Sequence, residues 1–156
     1  MEQRDLMFAL KERLQSGQDY YEIRLESIGG LGANLCGKML GELGAKYLDL
    51  NSSSFSSYGS EKTGTPVKGF IRYCKKEKEI RVHSPVEHPH LLCIFHEALL
   101  QDSSLLDGCT GETTIVLNTS RTPQEIVDNY LQKEGSCVQA AAVYTIPAQQ
   151  IAMETH

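Results

Sequence analysis

Residues 21–34 read Y-E-I-R-L-E-S-I-G-G-L-G-A-N. An apolar alternation runs straight into a glycine cluster, Gly29, Gly30 and Gly32, and then into a helical pattern. A strand, a tight glycine turn and a helix, in that order, form the opening of a βα unit. Where such a helix starts, several backbone N–H groups have no partner, and the positive end of the helix dipole faces the same way. That corner suits a phosphate or another anion. The candidate binding residues are Gly29, Gly30, Gly32, Ala33 and Asn34. The competing reading is a turn with no ligand, since α/β folds also use glycine simply to turn tightly.

The remaining patterns extend this start into an α/β fold. Residues 3–16 read as an amphipathic helix with Leu6, Met7, Leu10 and Leu14 on one face, ended by Gly17. In the first strand Ile23 and Leu25 alternate with Glu22, Arg24 and Glu26, which predicts one apolar and one solvated face. The following helix reaches about Lys46, with Leu35, Met39, Leu40 and Leu43 predicted inward. Gly37, Gly41 and Gly44 recur along it, each costing about 1 kcal/mol relative to alanine. They predict a surface packed very close, either the sheet or another subunit. Tyr47–Leu50 reads as a short strand and residues 51–65 as a long polar loop. Val67–Tyr73 and Glu79–His83 read as an antiparallel hairpin around Lys75–Lys78. Leu91–Phe95 is a continuous apolar run, as expected of a central parallel strand. A helical stretch at 97–106, a strand at Thr114–Leu117, a strand at Val138–Tyr144 and a helix from Pro147 follow. Thr122, Pro123 and Glu125 form a capping box that opens a helix stopped by Gly135. Strands alternating with helices predict a mostly parallel sheet with an inserted antiparallel hairpin.

Composition narrows function by exclusion. The net charge of −5 leaves no basic surplus for a dedicated nucleic-acid binder. No apolar run approaches the roughly 18 residues a membrane helix needs, and Met1–Asp5 lacks a secretory pattern, so a cytoplasmic home is expected. Five cysteines are scattered without C-x-x-C spacing, which argues against a metal or iron–sulfur centre. His83, His88, His90 and His96 lack the spacing that stacks two ligands on one helix face. No G-x-S-x-G, activated cysteine or carboxylate pair appears, so no catalytic residue is expected on this chain. Gly30 and Gly32 match the first half of a dinucleotide fingerprint, but Leu35 stands where the third glycine belongs. Asp49 falls where a ribose-binding acid is expected.

A second segment is unusual: Tyr58, Gly59, Ser60, Glu61, Lys62, Thr63, Gly64, Thr65 and Pro66 place an aromatic, an acid, a base and two glycines just before a strand. Three stretches occur together: I-R-L-E-S-I-G-G-L-G-A-N-L-C-G-K-M-L-G-E-L, Y-G-S-E-K-T-G-T-P-V-K-G-F-I-R and I-R-V-H-S-P-V-E-H-P-H-L-L. In this order they resemble the gamma subunit or domain of pyruvate:ferredoxin oxidoreductase, within the 2-oxoacid:acceptor oxidoreductases. The resemblance covers residue 21 to the C-terminus. It implies a Rossmann-like, three-layer gamma domain over 21–156, preceded by a helical extension over 1–20.

The resemblance also implies a division of labour. Thiamine diphosphate, magnesium and iron–sulfur clusters sit on alpha, beta and delta partners, and electrons pass on to ferredoxin. The gamma part packs on that core and helps bind coenzyme A. Gly29, Gly30, Gly32, Ala33 and Asn34 would then meet a coenzyme A phosphate, with charge from Arg24 or Lys62. Tyr58, Gly59, Glu61, Lys62, Thr63 and Gly64 would form an entrance loop or subunit interface. Neither nucleic acid nor membrane is implied as a partner. Ser27, Ile28 and Leu31 depart from the family's usual glycine run, and the family's N-T-x-M-L-G segment after the last strand is absent, as expected either of a C-terminally truncated chain or of a reduced relative. Two other functions fit the bare pattern: a stand-alone nucleotide- or coenzyme-binding module, and a structural assembly module without activity.

Overall fold

The computed structural model describes residues 10, 12–14, 16–58, 64–132 and 138–155. Strand β1 (Tyr21–Ile28) passes through the glycine turn into helix α1 (Ala33–Tyr47), followed by β2 (Leu50–Tyr58) and β3 (Pro66–Lys75). Then come β4 (Leu91–Ile94), two 3₁₀ turns at Glu97–Gln101 and Ser103–Leu106, and β5 (Thr114–Asn118). Helix α2 (Pro123–Ile126), a wider helical turn at Val127–Leu131, β6 (Ala142–Ile146) and α3 (Ala148–Glu154) complete the order. One six-stranded sheet has the order β2-β3-β1-β4-β5-β6. β1, β4, β5 and β6 run parallel, and β3 is antiparallel to both β1 and β2. The α/β class, the mostly parallel sheet and the antiparallel insertion all match expectation.

The hairpin is built from different residues than the pattern predicted. β3 pairs with β1 on one side and β2 on the other, so no edge is left for residues 79–83, which are irregular. The predicted loop over 51–65 is largely strand: Asn51–Tyr58 pairs with Cys74–Val67. The serine-rich sequence of β2 has a physical reason. A methyl group placed on Gly41 would lie 3.3 Å from Ser54 Cβ, and one on Gly44 would lie 3.3 Å from Ser52 Cβ. A glycine-rich helix face and a serine-rich strand are thus complementary surfaces, packed backbone to backbone.

The same close approach inverts the expected orientation of α1. Its buried residues are Ala33, Gly37 and Gly44, while Leu35, Met39 and Leu43 are 64%, 63% and 41% exposed. Of the predicted inward residues only Leu40 packs on the core, beside Cys36. Small side chains let the helix sit low on the sheet, and the bulky ones are left outside.

The polar face of β1 is also buried, contrary to the alternating pattern. Arg24 is 6% exposed and Glu26 2%. The Arg24 guanidinium donates to the carbonyls of Leu105 and Asp107 at 2.8 and 2.9 Å, and of Val86 and Glu87 at 3.4 and 3.3 Å. Arg72 on β3 binds the Glu22 carboxylate at 2.7 Å and donates to the carbonyls of Ser84 and Pro85 at 2.7 and 3.2 Å. Two buried arginines thus strap irregular chain across the sheet, satisfying carbonyls that no strand or helix could.

Two apolar clusters lie on opposite faces of the sheet. One joins Leu92, Ile94, Ile115 and Leu117 to Leu100, Leu105, Leu106, Ile126 and Leu131. The other holds Ile23, Leu25, Ile71 and Tyr73 with Leu14 and Leu50. Leu14 belongs to the predicted N-terminal helix, of which residues 10 and 12–14 are helical; 1–9, 11 and 15 lie outside the described residues. The predicted helix at 97–106 is broken at Asp102, whose carboxylate accepts from Ser104 N–H at 3.0 Å. The last strand lies later than the pattern placed it, at Ala142–Ile146. The Thr122–Glu125 capping box is formed, while Gly135 lies outside the described residues.

Candidate anion-binding corner

In open α/β sheets ligands settle beyond the carboxyl ends of the strands, where consecutive connections leave in opposite directions. Here α1 leads from β1 to β2 on one side, whereas β4 leads to β5 on the other. The ends of β1 and β4 flank that point, and the glycine turn lies there. Gly30 and Gly32 have φ of +89° and +90°, a left-handed conformation that glycine adopts without strain. Gly32 is the N-cap of α1 and no side chain caps it. Among the described residues no acceptor meets the first-turn amides, Ala33 to Leu35. Among the described residues nothing lies within 4 Å of where a Cβ would stand on Gly30, Gly32 or Gly64. Among the described residues none plugs the corner. Asn34 Oδ1 adds a shielded acceptor atom with no hydrogen-bond partner.

Not every expected residue is free for a ligand. Gly29 N–H donates to Thr65 O at 2.9 Å, and Leu31 N–H donates to Ile28 O at 3.3 Å. Gly29 is therefore committed to holding the turn. The same bond brings the second unusual segment to the first: Gly64, with φ +81°, and Thr65 lie against the corner. Tyr58, at the end of β2, is 58% exposed. Gly59, Ser60, Glu61, Lys62 and Thr63 lie outside the described residues. Arg24 cannot serve an anion at the corner, because its guanidinium is spent on four carbonyls and lies 3.2 Å from Glu26. Lys68, overlooked in the sequence, is 3.2 Å from the same carboxylate. Burial, opposed by Lys68 and Arg24, pushes the Glu26 carboxyl upward.

The ribose-acid expectation for Asp49 fails on topology. β2 runs parallel to β1, so Asp49, just before β2, lies at the opposite end of the sheet from Gly30. It has φ +54° and is ion-paired with Lys76. The partial dinucleotide fingerprint therefore lacks its acid.

Beside the corner, a cleft of about 440 Å³ opens over the ends of β4, β5 and β6. Phe95, His96, Glu97, Asn118, Thr119 and Ser120 form one side, and Pro147, Gln149, Gln150 and Met153 another. Glu97 is held by Thr119 Oγ1 at 2.6 Å, Tyr130 Oη at 3.2 Å and Arg121 Nε at 3.1 Å. Asn118 fixes the frame, donating to Phe95 O at 3.1 Å and accepting from Ala148 N–H at 3.0 Å. His96 Nε2 is shielded from water without a partner. No local pattern marks this cleft, since its walls come from three segments far apart along the chain.

The histidines do separate work. His90 stacks on Tyr21 with ring centres 5.2 Å apart and accepts from Glu22 N–H at 3.0 Å. His88 contacts Gly108 O at 3.2 Å. Among the described residues no three His, Cys, Asp or Glu gather for a metal ion. Burial pushes the Cys93 thiol up to about 12 and raises those of Cys36, Cys74 and Cys109. These thiols are poor nucleophiles near neutral pH.

The family model for pyruvate ferredoxin/flavodoxin oxidoreductase matches residues 22–156. The chain belongs to this family. It is 33% identical over 103 residues to pyruvate synthase subunit PorC of Thermotoga maritima, covering 64% of this chain and 50% of that one. It is 27% identical to the pyruvate/ketoisovalerate oxidoreductases common subunit gamma of Thermococcus litoralis, covering 85% of this chain and 67% of that one. The chain thus spans about half to two thirds of the length of these relatives. The crystal structure of Thermotoga maritima PORC superposes with a TM-score of 0.69 at 23% identity, over 88% of this chain and 67% of that one. A structure of 2-oxoglutarate:ferredoxin oxidoreductase from Magnetococcus marinus, with 2-oxoglutarate, coenzyme A and succinyl-CoA bound, gives 0.62 at 20% identity. That match covers 88% of this chain and 21% of the other, so a like fold there forms part of a much longer chain. Among the described residues no helix is long and apolar enough to cross a membrane.

Proposed function

We propose that the chain is the gamma component of a pyruvate or related 2-oxoacid:ferredoxin oxidoreductase, working in the cytoplasm. It supports coenzyme A binding and assembly and supplies no reacting group. Thiamine diphosphate, magnesium and iron–sulfur clusters would reside on alpha, beta and delta partners, with ferredoxin served through them. The observation that carries the reading is the open, uncapped βα corner at Gly30–Asn34. Its amides suit the phosphate of a carrier that delivers its reactive end to chemistry housed elsewhere. The Magnetococcus marinus enzyme, with coenzyme A bound, lends support at the level of the fold. The segment 58–64 would shape the entrance or meet a partner subunit.

The test is reconstitution with candidate alpha, beta and delta chains. Thiamine-dependent pyruvate oxidation should track complexes containing this chain. Gly32→Glu should raise the KM for coenzyme A at least tenfold with the complex intact, because a carboxylate at the corner repels the phosphate. Unchanged coenzyme A kinetics in that variant would overturn the placement. A complex that is equally active without the chain would overturn the function.

A further inference from the structure

We infer that residues 2–9, which precede the described start of the N-terminal helix, cover an apolar groove on the flank of α1. The inference stands apart from the coenzyme A reading. The groove has a volume of about 390 Å³ and is lined by Gly32, Leu35, Cys36, Met39, Leu40 and Leu43, with no charged side chain among them. Among the described residues nothing covers it, and Met39 is 63% exposed. Its side of the helix is defined. Gly41 faces Ser52 and Ser54 of β2. At 3.6 residues per turn, Cys36 and Leu43 project from the opposite flank, toward β1 and β4. Cys36 and Leu40 accordingly pack on the same apolar cluster as Cys93 and Phe95.

The path of the chain names the occupant. Leu14 is buried in that cluster and Leu10 packs against it, so the N-terminal helix lies on this face of the sheet. Its last turn closes with Ser16 N–H donating to Glu12 O at 2.9 Å, and Gly17, at φ +102°, ends it. Residues 17–20 lead straight into Tyr21, the start of β1. A link of that length spans at most about 14 Å, so the helix ends beside the start of β1. Lying flat on the sheet, it comes from the carboxyl end of that strand, where α1 also begins. The two helices therefore lie side by side and run the same way. Both end at the same edge of the sheet and rise about 1.5 Å per residue, which brings residues 4–8 level with residues 35–39 of α1. Leu6 and Met7 stand four and three positions before Leu10, on its helical face. Neighbouring helices pack about 8–10 Å apart, so the flank of α1 is within their reach.

Methyl NMR of the full chain tests this, because the methionines are only Met1, Met7, Met39 and Met153. A soluble gadolinium chelate reads exposure, with Met153, 68% exposed, as the internal reference. The Met39 methyl should broaden about threefold less than that of Met153, since a covering side chain keeps the chelate away. It should also share a nuclear Overhauser cross-peak with the Met7 methyl. A carboxylate is not buried in an apolar groove, so in the Leu6→Glu, Met7→Glu double variant Met39 should broaden as much as Met153. The cross-peak in the wild type decides the matter even where the double variant loses its fold. Wild-type Met39 as exposed as Met153, with no cross-peak to Met7, overturns the inference. Protection of Met39 that persists in the folded double variant, or that fades on dilution, assigns the groove to a second copy of the chain and overturns it as well.

Discussion

Gly44→Ala and Gly37→Ala should move stability in opposite directions, although both replace glycine inside the same helix. Each gains about 1 kcal/mol of helix propensity. At Gly37 the added methyl would meet only Leu25 Cδ1, at 3.7 Å, an ordinary contact that also buries apolar surface. Gly37→Ala should therefore stabilise by roughly 0.5–1 kcal/mol. At Gly44 the methyl would stand 2.4 Å from Tyr73 Cε1 and 2.7 Å from Cδ1, with Ser52 Cβ at 3.3 Å on another side. Tyr73 cannot swing aside cheaply. It is 2% exposed, and its hydroxyl donates to Leu40 O at 2.5 Å. Overpacking costs about 1–3 kcal/mol and loss of the buried hydrogen bond about 1–3 more, against the 1 gained. The net expectation is a loss of about 1–5 kcal/mol, read by urea denaturation at fixed m-value. Tyr73→Leu should remove most of the difference between the two alanine variants. If Gly44→Ala stabilises as much as Gly37→Ala, the helix does not sit on the sheet as described, and the corner it positions is misplaced too.

Other outcomes follow from the buried charges and the pinned loops. Arg24→Met should cost about 3–5 kcal/mol in urea denaturation, because it leaves Glu26 poorly paired and frees four carbonyls. Arg24→Lys should recover little, since an ammonium lacks the guanidinium fork; a loss below about 1 kcal/mol in Arg24→Met would refute the clamp. Gly108→Ala should be more damaging still: its Cβ would fall 1.8 Å from Glu87 O, at φ +79°, and a soluble variant of wild-type melting temperature would contradict that geometry. Burial holds His90 below its ordinary value, so its neutral form favours the folded state. That stability is present above the unfolded value of about 6.5 and is lost as pH falls through the lower folded value. His90→Gln should flatten the decline in melting temperature on acidification from pH 7 to 5; a slope identical to wild type would show that another group causes it.

The parts of the fold legible in the sequence are those fixed by local chemistry. The Ile23/Leu25 alternation, the glycine turn, the apolar run at Leu91 and the Thr122–Glu125 box each specify their own element. What misled were residues whose role depends on a distant partner. Ser52, Ser54 and Ser56 look like loop until Gly41 and Gly44 are seen to demand small neighbours. Glycine at i, i+4 and i+7 facing serine at alternate positions was a signal available in the sequence. Leu35, Met39 and Leu43 mark an apolar stripe, but glycine, not leucine, turned out to be the packing face. Arg24 looked solvated because its four carbonyl acceptors lie more than 60 residues away along the chain. At the candidate site the turn itself was legible. That Gly29 N–H is spent on Thr65 was not, and neither was the cleft at His96, since both depend on chain crossings.

The most direct test is amide NMR of the ¹⁵N-labelled chain titrated with coenzyme A. The account predicts that the largest shifts fall on Gly30, Gly32, Ala33, Asn34 and Leu35, while Gly29, whose N–H is already bonded, moves less. Saturation without movement at those five amides, or no saturable response at all, would contradict it.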